Sequence, residues 1–203
     1  AATRRGVLVV NSPEGNTIAA AEHALALMLS LSRHVPHAHA STMAGGWDRK
    51  TYVGNELYKK ILGVVGLGRI GTLVAQRARA FDMRLVAYDP YVSAERGREL
   101  GVEMTTLERV VEQADVLSIH LPKNKETTGI INADMLKRAK RSLRIVNVAR
   151  GGIVNETDLG YNAIIQSFAH VSRGSIKAFP PIYFSEPKKI QARVPRHAHL
   201  LLP

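Results

Sequence analysis

Three glycines and one acid near the middle of the chain are the residues best spaced to do chemistry. Gly66, Gly68 and Gly71 in "ILGVVGLGRIGTLVAQRARAFDMRLVAYDP" follow a G-x-G-x-x-G pattern, and Asp89 stands 18 residues after the last of them. A lone pattern of this kind is weak, but its context here is complete. An apolar strand, Ile61–Val65, runs straight into Gly66, and a helix opens inside the motif with Ile70, Leu73, Val74 and Ala78 on one face. A second strand then ends at Asp89. Each piece has a physical purpose: Gly66 permits a tight turn, Gly68 lets a pyrophosphate approach the backbone, and Gly71 lets the helix pack closely on the strand. The helix N-terminus offers unpaired N–H groups to the phosphates. Asp89 accepts hydrogen bonds from ribose hydroxyls and repels a 2′-phosphate, which selects NAD over NADP.

A second candidate, Arg150, follows the apolar run Leu143–Val148 in "LRIVNVARGGIVNE". Its guanidinium is shaped for a carboxylate, and position alone leaves a surface ion pair equally open. His120 ends another apolar run and reads as a hydrogen-bonded strand-end histidine. His34, His37 and His39, and again His197 and His199, are spaced like metal ligands, but no acid or cysteine completes either set. No metal is expected.

These residues need a frame to hold them. From Ile61 the chain alternates strand Ile61–Val65, helix Arg69–Ala80, strand Leu85–Tyr88, helix Leu107–Gln113, strand Val116–Leu121, helix Ala133–Ala139 and strand Leu143–Val148. That order predicts an α/β fold, a doubly wound parallel sheet with crossover helices. Ahead of it, "GVLVVNSPEGN" predicts a short strand, Val7–Val10, and "NTIAAAEHALALMLSLSRHV" a helix capped at Asn16 or Thr17 with Pro36 just past its end. Apolar residues surround that helix, so it is expected to be buried against another domain or subunit. His37–Asn55 reads as a polar connection.

Composition sets outer limits. The 203 residues are 45% hydrophobic and 22% charged, ordinary for a globular chain, and no cysteine is present, so thiol chemistry and disulfides are excluded. The longest apolar run is too short to span a bilayer and no signal peptide is evident, so a cytoplasmic protein is expected. The net charge of +11 invites a nucleic-acid reading. Nearly half of the excess falls in residues 160–203, however, and elsewhere bases alternate with acids, as in "ERGRELGVEMTTLERVVEQAD", which is a solvated surface rather than a phosphate-tracking stripe. Nucleic acid is not an expected partner.

The motifs together resemble the NAD-dependent D-2-hydroxyacid dehydrogenases. "NSPEGNTIAAAEHALALMLSLSR", "VVGLGRIG", "AYDP", "SIHLP", "ETTGIIN" and "NVARGGIVNE" occur in that family's order and spacing over residues 1 to about 159. The stretches "NSPEGNTIAAAEH" and "WDRKTYVGNELYKKILGVVGLGRIG" look most like a branch acting on a phosphorylated three-carbon acid. The resemblance implies that Gly66, Gly68, Arg69, Ile70 and Gly71 contact the pyrophosphate, Asp89 the ribose, Leu121 the cofactor at a strand end, and Val148 and Ala149 the nicotinamide. It implies that Arg150 holds the carboxylate and carbonyl oxygen of a 2-hydroxy or 2-keto acid. A homodimer built on the first long helix is implied as well.

Other parts of the family pattern are missing. The proton-transferring histidine and its glutamate belong to segments like "DVFxxEP" and "TPHxG", and neither occurs after Arg150; Glu186, His197 and His199 match poorly in neighbours and spacing. The expected organisation is therefore a remnant of a substrate domain at 1–15, an NAD-binding domain at 16–159, and a divergent basic tail at 160–203. The change at Gly160 is what a frame error, a gene remnant or an unusual splice produces. Such a chain is expected to bind NAD with little or no turnover by itself; the competing expectation is a non-catalytic NAD-binding interaction or regulatory module.

Overall fold

The computed structural model describes residues 3–6, 15–161, 166–172 and 175–178. The expected strand Val7–Val10 lies outside them, as do Glu186, His197 and His199.

The first long helix is α1 (Thr17–Ser32), with Asn16 at its N-cap but no capping bond from the Asn16 side chain. Only one face is buried, through Ala21, Ala24, Leu25, Met28 and Leu31, while Ile18 stays 59% exposed. Within the chain itself the expected burial is met on this face alone. The buried face packs mainly on a later helix, and the remaining apolar positions are left partly open.

Pro36 stands just past the end of α1, as expected, and it also sits in the first turn of a second helix, α2 (Val35–Met43), most of which falls in the stretch read as a polar connection. The reason is local. His34 adopts a left-handed φ of 53°, which breaks the chain direction after α1, and a proline φ already suits the first turn of a new helix.

The alternating region forms as the pattern requires: β1 (Ile61–Val65), α3 (Arg69–Arg79), β2 (Arg84–Tyr88), α4 (Ala94–Glu99), β3 (Glu103–Met104), α5 (Leu107–Gln113), β4 (Val116–Ile119), α6 (Ala133–Arg138), β5 (Arg144–Asn147) and α7 (Glu156–Tyr161). Two more strands, β6 (Gln166–Ser172) and β7 (Ser175–Ala178), follow in the region read as a divergent tail. The sheet order is β3-β2-β1-β4-β5-β6-β7, parallel up to β6, with β7 antiparallel. Strand order reverses between β1 and β4, so a crevice opens beyond the carboxyl ends of these two strands.

Both faces of the sheet are covered. Leu62, Val64, Leu85, Ala87 and Val146 join α1 and α3 in one core, while Val65, Val86, Leu117, Ile119 and Ile145 join α5 and α6 in another. Each fully buried Leu or Ile contributes about 1.5–3 kcal/mol, which fixes the strand ends where the motif glycines and Arg150 sit. At the opposite end, Asp115 ties strands to helix layer: its carboxylate accepts from Ile61 N at 2.8 Å and from Lys140 Nζ at 2.8 Å. These bonds hold its carboxyl below the usual range against an opposing effect of burial.

Candidate functional site

The glycine turn is built where β1 ends. Gly66 takes a φ of +95° and donates its N–H to Tyr88 O at 2.8 Å, linking the turn to the end of β2. A Cβ on Gly71 would overlap the Gly66 carbonyl oxygen, so α3 can approach the strand this closely only without a side chain there. Around Gly68 the position of a Cβ is open space, which leaves its backbone approachable. Gly68 is also the N-cap of α3 and supplies no side-chain acceptor, so the helix begins with donors facing outward, and Arg69 is exposed beside them. Asp89 braces this turn: Oδ2 accepts from Leu67 N at 2.8 Å and Oδ1 from Tyr91 N at 2.9 Å.

Two cavities lie on either side of the turn. The smaller, about 600 Å³, is bordered by Asp89, Tyr88, Val92, Met104 and Thr106. The larger, about 980 Å³, collects Ile70, Leu121, Val148, Ala149 and Arg150 against the first turns of α1. Of the residues singled out from sequence, Asp89 borders the smaller cavity, Ile70, Leu121, Val148, Ala149 and Arg150 border the larger, and Gly66, Gly68, Arg69 and Gly71 belong to the turn at the end of β1. This geometry fits a dinucleotide: open backbone donors for phosphates lie in the middle, with a carboxylate toward one cavity and an apolar, cationic cleft toward the other.

Arg150 is presented by a turn that the sequence reading did not explain. Asn147, buried at the end of β5, accepts from Ala149 N at 3.1 Å through Oδ1 and donates through Nδ2 to Arg150 O at 2.9 Å. Nη1 of Arg150 donates to Ala149 O at 2.7 Å, and the exposed guanidinium has no acidic partner among the described residues. A polar Asn within "IVNVAR" was the available signal, because a buried amide with no structural purpose is costly.

His120 departs in part from expectation. Its Nε2 pairs with Ser118 Oγ at 2.8 Å, but Nδ1 is shut off from solvent with no partner among the described residues. Burial pushes this imidazole down to about 4, so it is neutral near pH 7. The α1 residues Asn16, Glu22 and His23 also line the larger cleft; their distance in sequence from the glycine motif hid them. Among the described residues no group of three or more histidines and acids stands where it could hold a metal.

Fold and site together define a dinucleotide-binding domain of the Rossmann type. The chain belongs to the D-isomer specific 2-hydroxyacid dehydrogenase family, whose NAD-binding domain profile matches residues 25–167. The D-3-phosphoglycerate dehydrogenase of Synechocystis sp. is 52% identical over 159 residues, covering 78% of this chain and 29% of that protein. The D-3-phosphoglycerate dehydrogenase of Bacillus subtilis is 44% identical over 186 residues, covering 89% of this chain and 34% of that protein. This second similarity takes in more residues than lie ahead of Gly160. Among solved structures, the NAD-dependent formate dehydrogenase of Staphylococcus aureus in complex with NAD superposes with a TM-score of 0.72 at 31% identity, over 82% of this chain and 52% of that one. The chain spans about a third of the length of the curated relatives it matches.

Proposed function

We propose that this chain is the cofactor-holding part of an NAD-dependent dehydrogenase for a small 2-hydroxy acid, with 3-phosphoglycerate as the substrate. The observation that carries the reading is the braced glycine turn opening onto a cleft that ends at Arg150. In this reading the backbone from Gly66 to Gly71 with Arg69 and Ile70 holds the pyrophosphate, Asp89 the ribose, and Leu121, Val148 and Ala149 flank the nicotinamide. When bound, the nicotinamide supplies hydride chemistry at C2 of the acid. Arg150 fixes the acid's carboxylate and carbonyl oxygen by paired charge-assisted bonds, and the Asn147 turn fixes the backbone that carries this side chain. Residues 1–15, 16–159 and 160–203 correspond in this reading to a substrate-domain remnant, the NAD-binding unit and a divergent tail.

No segment of this sequence matches the family's proton-transferring histidine and glutamate, so binding without appreciable turnover is the expected behaviour. Fluorescence titration should show NADH binding at least tenfold tighter than NADPH. Adding 3-phosphohydroxypyruvate should leave NADH absorbance unchanged, and robust oxidation would overturn the claim that the base is absent. Capture of a partner only when NAD is present would instead favour a non-catalytic interaction module.

A homodimer is part of the proposal. Large apolar residues are exposed at Ile18, Val35, Met43, Trp47 and Val53, all within or just after the first two helices, which is the pattern of an uncovered interface. A cytoplasmic location is proposed on the same footing, since an NAD-linked enzyme works where the dinucleotide is abundant. No helix among the described residues is long and apolar enough to cross a membrane.

A further inference from the structure

The end of the sheet opposite the glycine turn carries a charge pattern that chain order conceals. Six basic residues come together where the parallel strands start: Lys59 and Lys60 precede β1, Arg84 opens β2, Lys140 and Arg141 precede β5, and Arg144 opens it. The backbone fixes this row. Lys59 N donates to Asp82 O at 3.2 Å, Arg84 N to Lys60 O at 3.0 Å, Asp115 N to Ile61 O at 2.9 Å and Arg144 N to Asp115 O at 3.1 Å, so each strand start is tied to the next. With neighbouring strands about 4.8 Å apart, the row from β2 through β1 and β4 to β5 spans about 14 Å.

Two acids at this end are already engaged, Glu103 by Arg84 at 3.2 Å and Asp115 by Lys140 at 2.8 Å. Lys59, Lys60 and Arg141 are exposed and form no ion pair among the described residues. Like charges gathered in this way repel one another, and a polyanion laid across them relieves the repulsion. Aromatic rings stand beside the cations. Tyr58 is 52% exposed with Lys59 Nζ 5.0 Å from its ring centroid, and Phe81, next to the Asp82 that receives Lys59 N, is 37% exposed. A carboxylate has no use for a ring, whereas an unpaired base stacks on one, so rings among cations favour a single-stranded nucleic acid over an acidic protein segment. Unpaired bases that can be splayed onto aromatic side chains are what RNA loops and ends offer.

We propose that the strand-start end of this domain is a docking surface for single-stranded RNA, with Lys59, Lys60 and Arg141 holding phosphates and Tyr58 stacking a base. The surface lies at the far end of the strands from the dinucleotide site, so the chain holds both ligands at once.

The test follows a fluorescein-labelled oligouridylate of about twelve nucleotides, within the usual range of single-strand site sizes, by anisotropy on the full chain with and without saturating NADH. Lys60→Gln with Arg141→Gln should weaken binding at least fivefold and flatten the slope of log K against log salt by about 1.4, the value for two single-strand phosphates. Tyr58→Ala should also weaken it at least fivefold, while Tyr58→Phe stays within twofold. NADH should bind every variant within twofold of the unaltered chain, which checks that each one folds. No binding of the oligouridylate, or unchanged affinity in the double variant, would overturn the proposal, the second result passing the contact to residues 160–203. Displacement by NADH would overturn it by placing the strand on the glycine turn. Equal affinity for a DNA duplex of that length would overturn the choice of unpaired RNA, and displacement by polyglutamate with no effect of Tyr58→Ala would reassign the surface to an acidic protein segment.

Discussion

His120 shows how one side chain can couple this site to acid stability. Its ring is neutral when folded near pH 7 because burial pushes it down to about 4, against 6.5 for an ordinary histidine. Between those values the unfolded chain binds the proton more readily, so stability must fall as pH falls from 6.5 toward 4. The loss approaches about 3 kcal/mol at the acid end of that window, at about 1.4 kcal/mol per pH unit. Urea unfolding of the chain and of His120→Gln, compared from pH 4 to 7, should show a steeper acid loss for the unsubstituted protein. Parallel curves would contradict the assignment, and the comparison cancels His34, whose pKa burial also lowers. At this scale the sequence told much: every glycine of the turn, Asp89 and Arg150 were legible, because their spacing encodes backbone geometry. Asn147 and the open Nδ1 of His120 were not, because their meaning depends on neighbours that only the folded chain supplies.

Among the elements, legibility followed burial. The strands β1, β4 and β5 are covered on both faces and read as continuous apolar runs, so their limits were nearly right from sequence. β3 is two residues long, Glu103 and Met104, and too short for any period to show. α4 is six residues with only Gly97 buried, so it reads as surface; its Arg96–Glu99 and Arg98–Glu95 ion pairs fit the alternating charges seen there. α2 was masked because Pro36 follows one helix and also starts the next. Short helices like these lean on their caps. Asn132 Oδ1 accepts from both Asp134 N and Met135 N at 3.1 Å at the start of α6. Asn132→Ala should cost about 1 kcal/mol in urea denaturation, while Asn132→Ser or Asp should recover most of it.

For the whole molecule, the covered and uncovered faces decide what the chain can do alone. The sheet is sealed by helices on both sides, but α1 is sealed on one side only, and exposed apolar residues recur along the chain from Ile18 to Val53. Sedimentation at micromolar concentration should report a dimer, and Trp47→Ala with Met43→Ser should shift it toward monomer; a clean monomer from the unaltered chain would refute the proposed assembly. The basic excess in 160–203 was plain in the sequence, yet the pairing of β6 and β7 onto the sheet was not, since little periodicity marks those strands.

The bracing of the glycine turn by Asp89 bears on how this protein could change over evolutionary time. The carboxylate that reads the ribose in the proposed function is also the strut that receives Leu67 N and Tyr91 N. An exchange to a small apolar or basic residue that admits a 2′-phosphate would release two backbone donors at once, loosening the loop that must greet the new dinucleotide, and asparagine would keep an acceptor for only one of them. Cofactor preference here is therefore not a trait that one substitution can flip. A lineage drifting toward NADP would first need another acceptor for Leu67 N, and that ordering of steps makes NAD usage self-preserving.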